Sequence, residues 1–164
     1  MTKKASSYLK NVWLWVAIIA AAFSAWGLVF YSVAQSPSSK TVQIWVGSPQ
    51  GLSSRQKSKV SACAEQNGME KVEFGVYDPS DGFYAQAFAI KASSVDIFVL
   101  NRNEALEIAQ TGLFAELEGF TGGLVYQEKT IGVLYGNDLC VLVNAKSRKD
   151  NAVLKQILSV LTEV

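Results

Sequence analysis

The longest apolar run of the chain lies near its start. Residues 12–33, VWLWVAIIAAAFSAWGLVFYSV, carry no charge, and three lysines precede them. As a helix this run would be about 33 Å long, which is enough to cross a bilayer core. The basic residues before it orient the N-terminus toward the cytoplasm. The pattern therefore predicts a cytoplasmic tail over residues 1–11, a single transmembrane helix over 12–33, a linker over 34–41 and an extracytoplasmic remainder.

A cleaved secretory signal is the alternative interpretation of this run. Ser32-Val33-Ala34 has the small-x-small pattern of a cleavage site. The apolar core of such a signal usually has about 7–15 residues, so the greater length here favours an uncleaved anchor. We expect the chain to remain in the cell membrane, with the lipid bilayer as a partner, and cleavage after Ala34 stays open.

Beyond the linker, short apolar runs alternate with amphipathic segments. Runs of β-branched and aromatic residues predict strands over residues 42–46, 71–77, 95–100, 131–135 and 139–144. Helical periodicity predicts helices over residues 53–66, 83–92, 103–112 and 150–164. The strand–helix alternation indicates right-handed crossovers. We therefore predict one α/β lobe over residues 42–164, with a mainly parallel sheet in a three-layer arrangement.

Side-chain patterns give this prediction residue-level detail. Ser53 with Gln56 forms a capping box, and Asn103 and Asp150 are predicted N-caps. The helix over residues 83–92 is predicted to carry an apolar stripe of Phe83, Ala87 and Ile90, with Tyr84 and Phe88 beside it. The last helix is predicted to have one apolar face, Val153, Leu154, Ile157, Leu158 and Leu161. Eight sheet residues are expected in the core: Ile44, Val46, Phe74, Val76, Ile97, Val99, Val133 and Val141.

The composition argues against several function classes. The chain has no histidine, the commonest general base and metal ligand. It also has no Gly-x-Ser-x-Gly motif and no phosphate-binding loop, so we predict neither an enzyme nor a cofactor. From Lys40 onward there are 12 basic and 14 acidic residues, which does not suit nucleic acid. Cys63 and Cys140 fit either a disulfide or two buried thiols.

Candidate ligand-binding residues follow the predicted strands. Open α/β sheets bind ligands beyond the carboxyl ends of their strands, where this chain has aromatic, carboxylate and amide side chains. Such groups can stack on and hydrogen-bond a small polar solute such as a sugar, although each also fits ordinary loop chemistry. The candidates are Trp45, Ser48, Gln50, Asp78, Asp81, Tyr84, Asn101, Arg102, Tyr135 and Asn137.

Several segments together resemble a known family. VQIWVGS, KVEFGVYD, FYAQAFAIKASSVDIFVLNRNEALEIAQTGLFAELE and IGVLYGNDLCVLVNAK follow one another with characteristic spacing. Over about residues 41–148 they resemble the N-terminal lobe of the extracellular solute-binding proteins of ABC importers, especially the sugar and oligosaccharide type. Leu134 stands where that family usually has proline, and Val143 where it usually has an aromatic residue.

The resemblance implies a solute-binding-like module that associates with an ABC transporter permease or another membrane protein. That family has a second lobe after this segment, whereas here the sequence ends within 20 residues of Asn144. Its members are also usually lipoproteins or freely secreted. Two further interpretations therefore stay open, namely a non-binding structural or protein-interaction module and a fragment of a longer solute-binding protein.

Overall fold

The computed structural model describes residue 12 and residues 16–24, 38–120, 123–136 and 138–162. The chain divides into two compact units, an N-terminal unit Met1–Ser36 and a C-terminal unit Pro37–Val164. Residues 16–24 of the N-terminal unit are helical. Among the residues described, no helix is both long enough and apolar enough to cross a bilayer. The remainder of the predicted transmembrane helix, the predicted tail and half of the linker lie outside the described residues.

Strands and helices alternate in the first half of the C-terminal unit, and three strands then follow one another. In chain order the elements are a short 3-10 turn Ser38–Lys40, β1 Thr41–Gly47, α1 Ser54–Gln66, β2 Lys71–Tyr77, α2 Tyr84–Lys91, β3 Ile97–Asn101, α3 Arg102–Ala109, β4 Leu124–Tyr126, β5 Lys129–Tyr135, β6 Leu139–Val143 and α4 Asn151–Thr162.

The six strands form one mixed sheet in the order β2-β1-β3-β6-β5-β4. The first three pair in parallel, as the βαβ pattern predicted, but the β3–β6, β6–β5 and β5–β4 pairs are antiparallel. The prediction of a mainly parallel sheet is therefore wrong. Residues 136–138 are too few for a crossover connection, so β5 and β6 form a hairpin.

β4 was missing from the prediction. Tyr126 pairs with Lys129 across a two-residue turn, in which Gln127 and Glu128 have φ values of 49° and 66°. This left-handed pair of residues matches a hairpin turn that usually carries Asn-Gly or Asp-Gly. Because neither glycine nor asparagine is present there, no local pattern predicts this turn.

Helices cover both faces of the sheet, which confirms the three-layer prediction. On one face Ile97 and Val99 of β3 pack in a core with side chains of α1 and α4. On the other face Phe98 and Leu100 pack in a second core with α2 and α3. The alternation of side chains along a strand explains why a continuously apolar β3 needs a helix layer on each side.

The C-terminal helix packs on the chain's own sheet, as predicted. Asp150 accepts a hydrogen bond from the Ala152 amide at 2.8 Å and so caps α4. Val153, one of the five residues of its predicted apolar stripe, is half-buried. The other four are fully buried: Leu154, Ile157, Leu158 and Leu161. α4 lies against β5, β6 and α1.

Two helix predictions need correction. α2 turns Tyr84, Ala87 and Phe88 toward the sheet, while Phe83 and Ile90 are 74% and 69% exposed. The expected stripe is thus rotated by about one position, because Phe83 precedes the first turn. Asn101, rather than Asn103, caps α3, since its side chain accepts a hydrogen bond from the Asn103 amide at 3.0 Å.

The core prediction fails at the sheet edge. Ile44, Val46, Ile97, Val99 and Val141 are buried as expected, and Val133 is half-buried. On β2, however, Phe74 is half-buried and Val76 is 44% exposed. β2 is an edge strand, so no neighbouring strand shields these side chains.

The two cysteines are free thiols on opposite faces of the sheet. Cys63 packs against the core formed with α1 and α4, and Cys140 belongs to the core formed with α2 and α3. The sheet between them prevents an intramolecular disulfide. Cys140 is buried, as the buried-thiol interpretation expects, whereas Cys63 is only partly buried. Burial raises the pKa of both thiols and makes them poorly reactive.

Candidate functional site

Several strand ends meet at one edge of the sheet, which we call the carboxyl edge. Gly47 of β1 lies beside Tyr77 of β2, and Leu139 of β6 pairs with both Asn101 of β3 and Tyr135 of β5. The Arg102 amide donates to the Asp138 carbonyl at 2.9 Å, which ties the start of α3 to the β5–β6 turn. The strand ends and the first turn of α3 therefore form one surface.

A cavity of about 530 Å³ opens at this edge. Its wall contains residues from the ends of β1 and β3, the loops after β1 and β2, the start of α2, the first two turns of α3 and the start of β6: Gly47, Ser48, Pro49, Pro79, Tyr84, Asn101, Asn103, Glu104, Glu107 and Leu139. We call it the carboxyl-edge cavity. Its volume lies within the range of about 300–1,000 Å³ that is usual for small-molecule sites.

A chain of hydrogen bonds crosses the cavity wall. The Trp45 Nε1–H lies 3.4 Å from the Tyr84 hydroxyl, which in turn donates to Glu104 Oε1 at 2.6 Å. Gly47 makes room for this arrangement, because a Cβ at that position would lie 2.5 Å from the Tyr84 hydroxyl oxygen. The phenol is thereby fixed with its donor pointing at the carboxylate.

Burial dominates the electrostatics of this pair. It raises the pKa of Tyr84 above the ordinary value of 10.0, and the hydrogen bond to Glu104 adds to the rise. Burial also raises the pKa of Glu104 above 4.5, the Tyr84 hydrogen bond offsets part of this, and the charge of Glu107 adds to the rise. The cavity therefore presents a protonated phenol and a desolvated carboxylate whose second oxygen can accept from a ligand.

The structure brings three of the predicted residues into the cavity wall. These are Ser48, Tyr84 and Asn101. Trp45 lies beneath the wall and is 1% exposed, since Tyr77 stacks on its face at a ring-centroid distance of 3.6 Å. Trp45 thus supports Tyr84 instead of facing a ligand.

Tyr77 also closes off the outer side of Trp45. Its ring lies across Gly75, where a Cβ would be 2.6 Å from the ring. The Lys91 ammonium donates to the Tyr77 hydroxyl at 2.7 Å and lies 5.3 Å from the ring centroid. A second cavity of about 330 Å³ flanks these residues beside β2. In this second cavity the Lys91 ammonium is bound to Tyr77, and Tyr77 is stacked on Trp45. Because these groups are engaged with one another, we place the candidate site in the carboxyl-edge cavity.

The two predicted loop aspartates make local turns. Asp78 Oδ1 accepts from the amide and the hydroxyl of Ser80 at 2.9 and 2.7 Å, and these bonds lower the pKa of Asp78. Asp81 Oδ1 accepts from the Phe83 amide at 3.0 Å. Both side chains are exposed, outside the cavity wall, and their oxygens serve the loop.

The remaining predicted residues lie apart from the cavity. Gln50 and Arg102 are exposed and outside its wall. Tyr135 packs on the face that carries α1, where its hydroxyl bonds with the Gln56 amide group. Asn137 is outside the described residues. Their roles as ligand-binding residues stay predictions.

Sequence reasoning missed the two acidic residues of the cavity. Glu104 and Glu107 are three positions apart in α3 and so share one helix face. Asn101 caps α3 directly at the end of β3, which turns that face toward the carboxyl edge. Glu104 lies in the first turn of α3 and Glu107 in the second, so the signal lay in the helix that follows β3 and not in the strand end itself.

Glu104 should impose a pH dependence on stability. The folded state holds the Glu104 proton to a higher pH than the unfolded chain does. The free energy of unfolding contributed by Glu104 therefore falls as the pH rises from 4.5 to the raised pKa. Glu104→Gln keeps a side-chain oxygen that can accept from the Tyr84 hydroxyl. It has no carboxyl proton, so it removes the fall in unfolding free energy that Glu104 causes as the pH rises. Urea unfolding of both proteins at pH 4 to 8 should show the variant gaining relative to wild type as the pH rises.

Glu107→Gln provides the matched comparison. Removing the charge of Glu107 should lower the pKa of Glu104, so the fall in stability should end at a lower pH. The fall should not disappear, because burial is the main cause of the raised pKa of Glu104. A stability difference between wild type and Glu104→Gln that stays constant from pH 4 to 8 would contradict this account of the pair.

Comparison with known proteins gives partial matches. No protein-family model matches the chain, and no curated protein is similar to it at a significant level. Among solved structures, the ABC substrate-binding protein Lmo0181 from Listeria monocytogenes, in complex with cycloalternan, is 17% identical with a TM-score of 0.41 over 56% of this chain and 28% of that protein. RafE from Streptococcus pneumoniae, in its apo-form, is 17% identical with a TM-score of 0.41 over 62% and 29%.

A third match is the extracellular solute-binding protein from Staphylococcus aureus in complex with maltose, 17% identical with a TM-score of 0.39 over 60% of this chain and 28% of that protein. The chain thus spans less than a third of the length of each of the three.

Proposed function

We propose that this chain is a membrane-anchored, extracytoplasmic solute-binding module that takes a small polar solute, such as a sugar, in association with an ABC transporter. The carboxyl-edge cavity is the observation that carries the proposal. It combines a suitable volume with convergent hydroxyl, amide and carboxylate groups on the ends of several elements.

The polar groups of the wall fit a ligand with hydroxyl groups. Glu104 accepts from Tyr84 through Oε1, and a carboxylate has a second oxygen that can accept from a ligand hydroxyl. The Ser48 hydroxyl and the side-chain amide of Asn103 can each both donate and accept hydrogen bonds. With two carboxylates and no Lys or Arg among the described lining residues, the wall favours neutral or cationic solutes over anions.

Thermal unfolding of the full chain in neutral detergent tests the proposal. Millimolar mono- and oligosaccharides, amino sugars and anionic sugars are added in turn, and a ligand that binds the folded state raises the melting temperature. We expect a rise with at least one neutral or amino sugar and none with the anionic sugars. No rise with any of them would overturn the proposal.

A blocking variant shows where the ligand binds. Asn103→Trp places a large side chain in the cavity wall and should abolish the ligand-induced rise. Arg102→Trp is the matched control, since Arg102 is the adjacent exposed residue outside the wall. Equal ligand-induced rises in the two variants would move the site away from the carboxyl edge.

Anchoring through residues 12–33 is the second part of the proposal, supported by the apolar run and the lysines before it. Protease added to intact cells should digest the chain after Ser39 and spare residues 1–11. Protection of the C-terminal unit in intact cells, with digestion after lysis, would contradict this topology.

A protein-interaction module is the alternative, and the exposed face of α2 favours it. Phe83, directly before the first turn of α2, and Ile90 within the helix are 74% and 69% exposed. Affinity capture from solubilised membranes should then yield a stoichiometric partner that is lost from the double variant Phe83→Ser, Ile90→Ser. Such a partner, together with no solute response, would replace the first proposal.

A further inference from the structure

A basic cavity lies at the edge of the sheet opposite the candidate solute site. The loop between β6 and α4 carries three cationic residues within four positions, namely Lys146, Arg148 and Lys149. With Thr41, Ser93 and Asp96 they line a cavity of about 280 Å³ beside the start of β1. Nothing in the solute-binding proposal uses this cavity.

Buried hydrogen bonds hold the loop in place. The Asn144 side chain is 1% exposed, and its amide donates to the carbonyls of Ala92 and Val95 at 2.8 and 2.6 Å. Its Oδ1 accepts from the Lys146 amide at 2.9 Å. The cationic residues therefore project from a backbone fixed against the turn before β3.

The acidic residue of the cavity is engaged within the protein. Asp96 is 5% exposed, and its two oxygens accept from the Gln43 amide at 2.9 Å and from the Ser147 hydroxyl at 2.5 Å. The Ser147 hydroxyl in turn accepts from the Lys149 amide at 3.2 Å. One carboxylate thus faces three cations, and the wall keeps an excess of positive charge.

Two of the cations form no ion pair with any carboxylate among the described residues. In the part of the chain that the structure describes, the side chains of Lys146 and Arg148 form no ion pair within 4.0 Å, and both residues are exposed. Elsewhere Lys40, Lys71 and Lys129 each pair with a glutamate. A fixed loop with two unpaired cations at a cavity is suited to bind an anion.

We propose that this cavity is a binding site for a phosphate-type oxyanion. A guanidinium donates two parallel hydrogen bonds to a tetrahedral oxyanion, and an ammonium adds a point charge beside it. Arg148 and Lys146 would supply these contacts. The phosphoryl group comes either from free phosphate or from the headgroup of an anionic lipid. The predicted linker leads into β1 at this edge of the sheet. Binding of a lipid headgroup therefore rests on the proposed membrane anchoring, whereas binding of free phosphate does not.

Calorimetric titration of the full chain with inorganic phosphate tests the site. The chain is held in neutral maltoside micelles at constant ionic strength. The double variant Lys146→Gln, Arg148→Gln should bind phosphate about tenfold more weakly or worse. Arg55→Gln, Lys59→Gln is the matched control, because it removes two exposed cations of α1 and should leave the affinity unchanged.

Doping the micelles with phosphatidylglycerol separates the two sources. A weaker apparent phosphate affinity in doped micelles, with no such weakening in phosphatidylcholine, assigns the site to a lipid headgroup. An affinity that both lipids leave unchanged assigns it to free phosphate. The proposal is overturned if wild type binds no phosphate at millimolar concentration, or if the two double variants bind it equally.

Discussion

Ile97→Asp is expected to unfold the C-terminal unit. Ile97 is fully buried at the centre of the sheet, where β3 pairs with β1 on one side and β6 on the other. Its side chain lies in a core of apolar side chains that includes Val60 of α1 and Leu158 of α4, so a carboxylate there would be surrounded by apolar groups. An unpaired carboxylate there should cost about 4 kcal/mol or more, out of a total stability of about 5–15 kcal/mol.

Ile90→Asp is the matched control for this experiment. It makes the same substitution in α2 at a residue that is 69% exposed, so its effect should stay within about 0.5 kcal/mol. Urea unfolding followed by circular dichroism compares the two variants with wild type. Equal stability of the two variants would contradict the three-layer packing around β3.

Truncation after Lys149 is expected to have an effect of similar size. It removes α4 and with it four fully buried side chains, which together contribute on the order of 6 kcal/mol or more. It also uncovers the face of the sheet that carries Val141 and Val143. The truncated chain should melt at a much lower temperature and bind a dye that reports exposed apolar surface.

Single substitutions separate the packing of α4 from the loss of chain. Leu158→Ala should destabilise the C-terminal unit by about 2–5 kcal/mol, because Leu158 is fully buried. Gln156→Ala, on the exposed side of the same helix, should have little effect. If the truncated chain melted at the wild-type temperature, α4 would be a dispensable tail.

Local signals in the sequence predicted most of the secondary structure. The Ser53–Gln56 capping box forms as expected, with the Gln56 amide donating to the Ser53 side chain at 3.3 Å. The stripe of α4 is buried because four apolar residues recur at helical spacing. Such features depend on residues a few positions apart, which a single sequence displays directly.

Strand direction and strand position depend on longer-range relations. The direction of β6 follows from its pairing with β3, about 40 residues away, and extending the βαβ pattern beyond β3 predicted it wrongly. The exposure of Val76 follows from the edge position of β2, which no local pattern encodes. These errors reflect tertiary arrangement, not misjudged propensity.

The sequence predicted the location of the candidate site better than the residues that line it. The carboxyl edge follows from the first three strands. Ser48, Tyr84 and Asn101 lie in the cavity wall there, and their roles in binding stay predictions. Tyr135 was predicted at this site because it is the last residue of β5. Its hydroxyl instead accepts a hydrogen bond from the side chain of Gln56, 79 residues away in sequence. Strand-end position gives no information on which sheet face a side chain joins.

Amide chemical-shift mapping by NMR tests the solute site most directly. The isotope-labelled full chain in neutral micelles is titrated with the sugar that gives the largest rise in melting temperature. The account predicts saturable shifts concentrated at Ser48, Tyr84, Asn101, Asn103 and Glu104, and their loss in Asn103→Trp. Saturable shifts that cluster elsewhere, with these five amides unchanged, would contradict a solute site at the carboxyl edge.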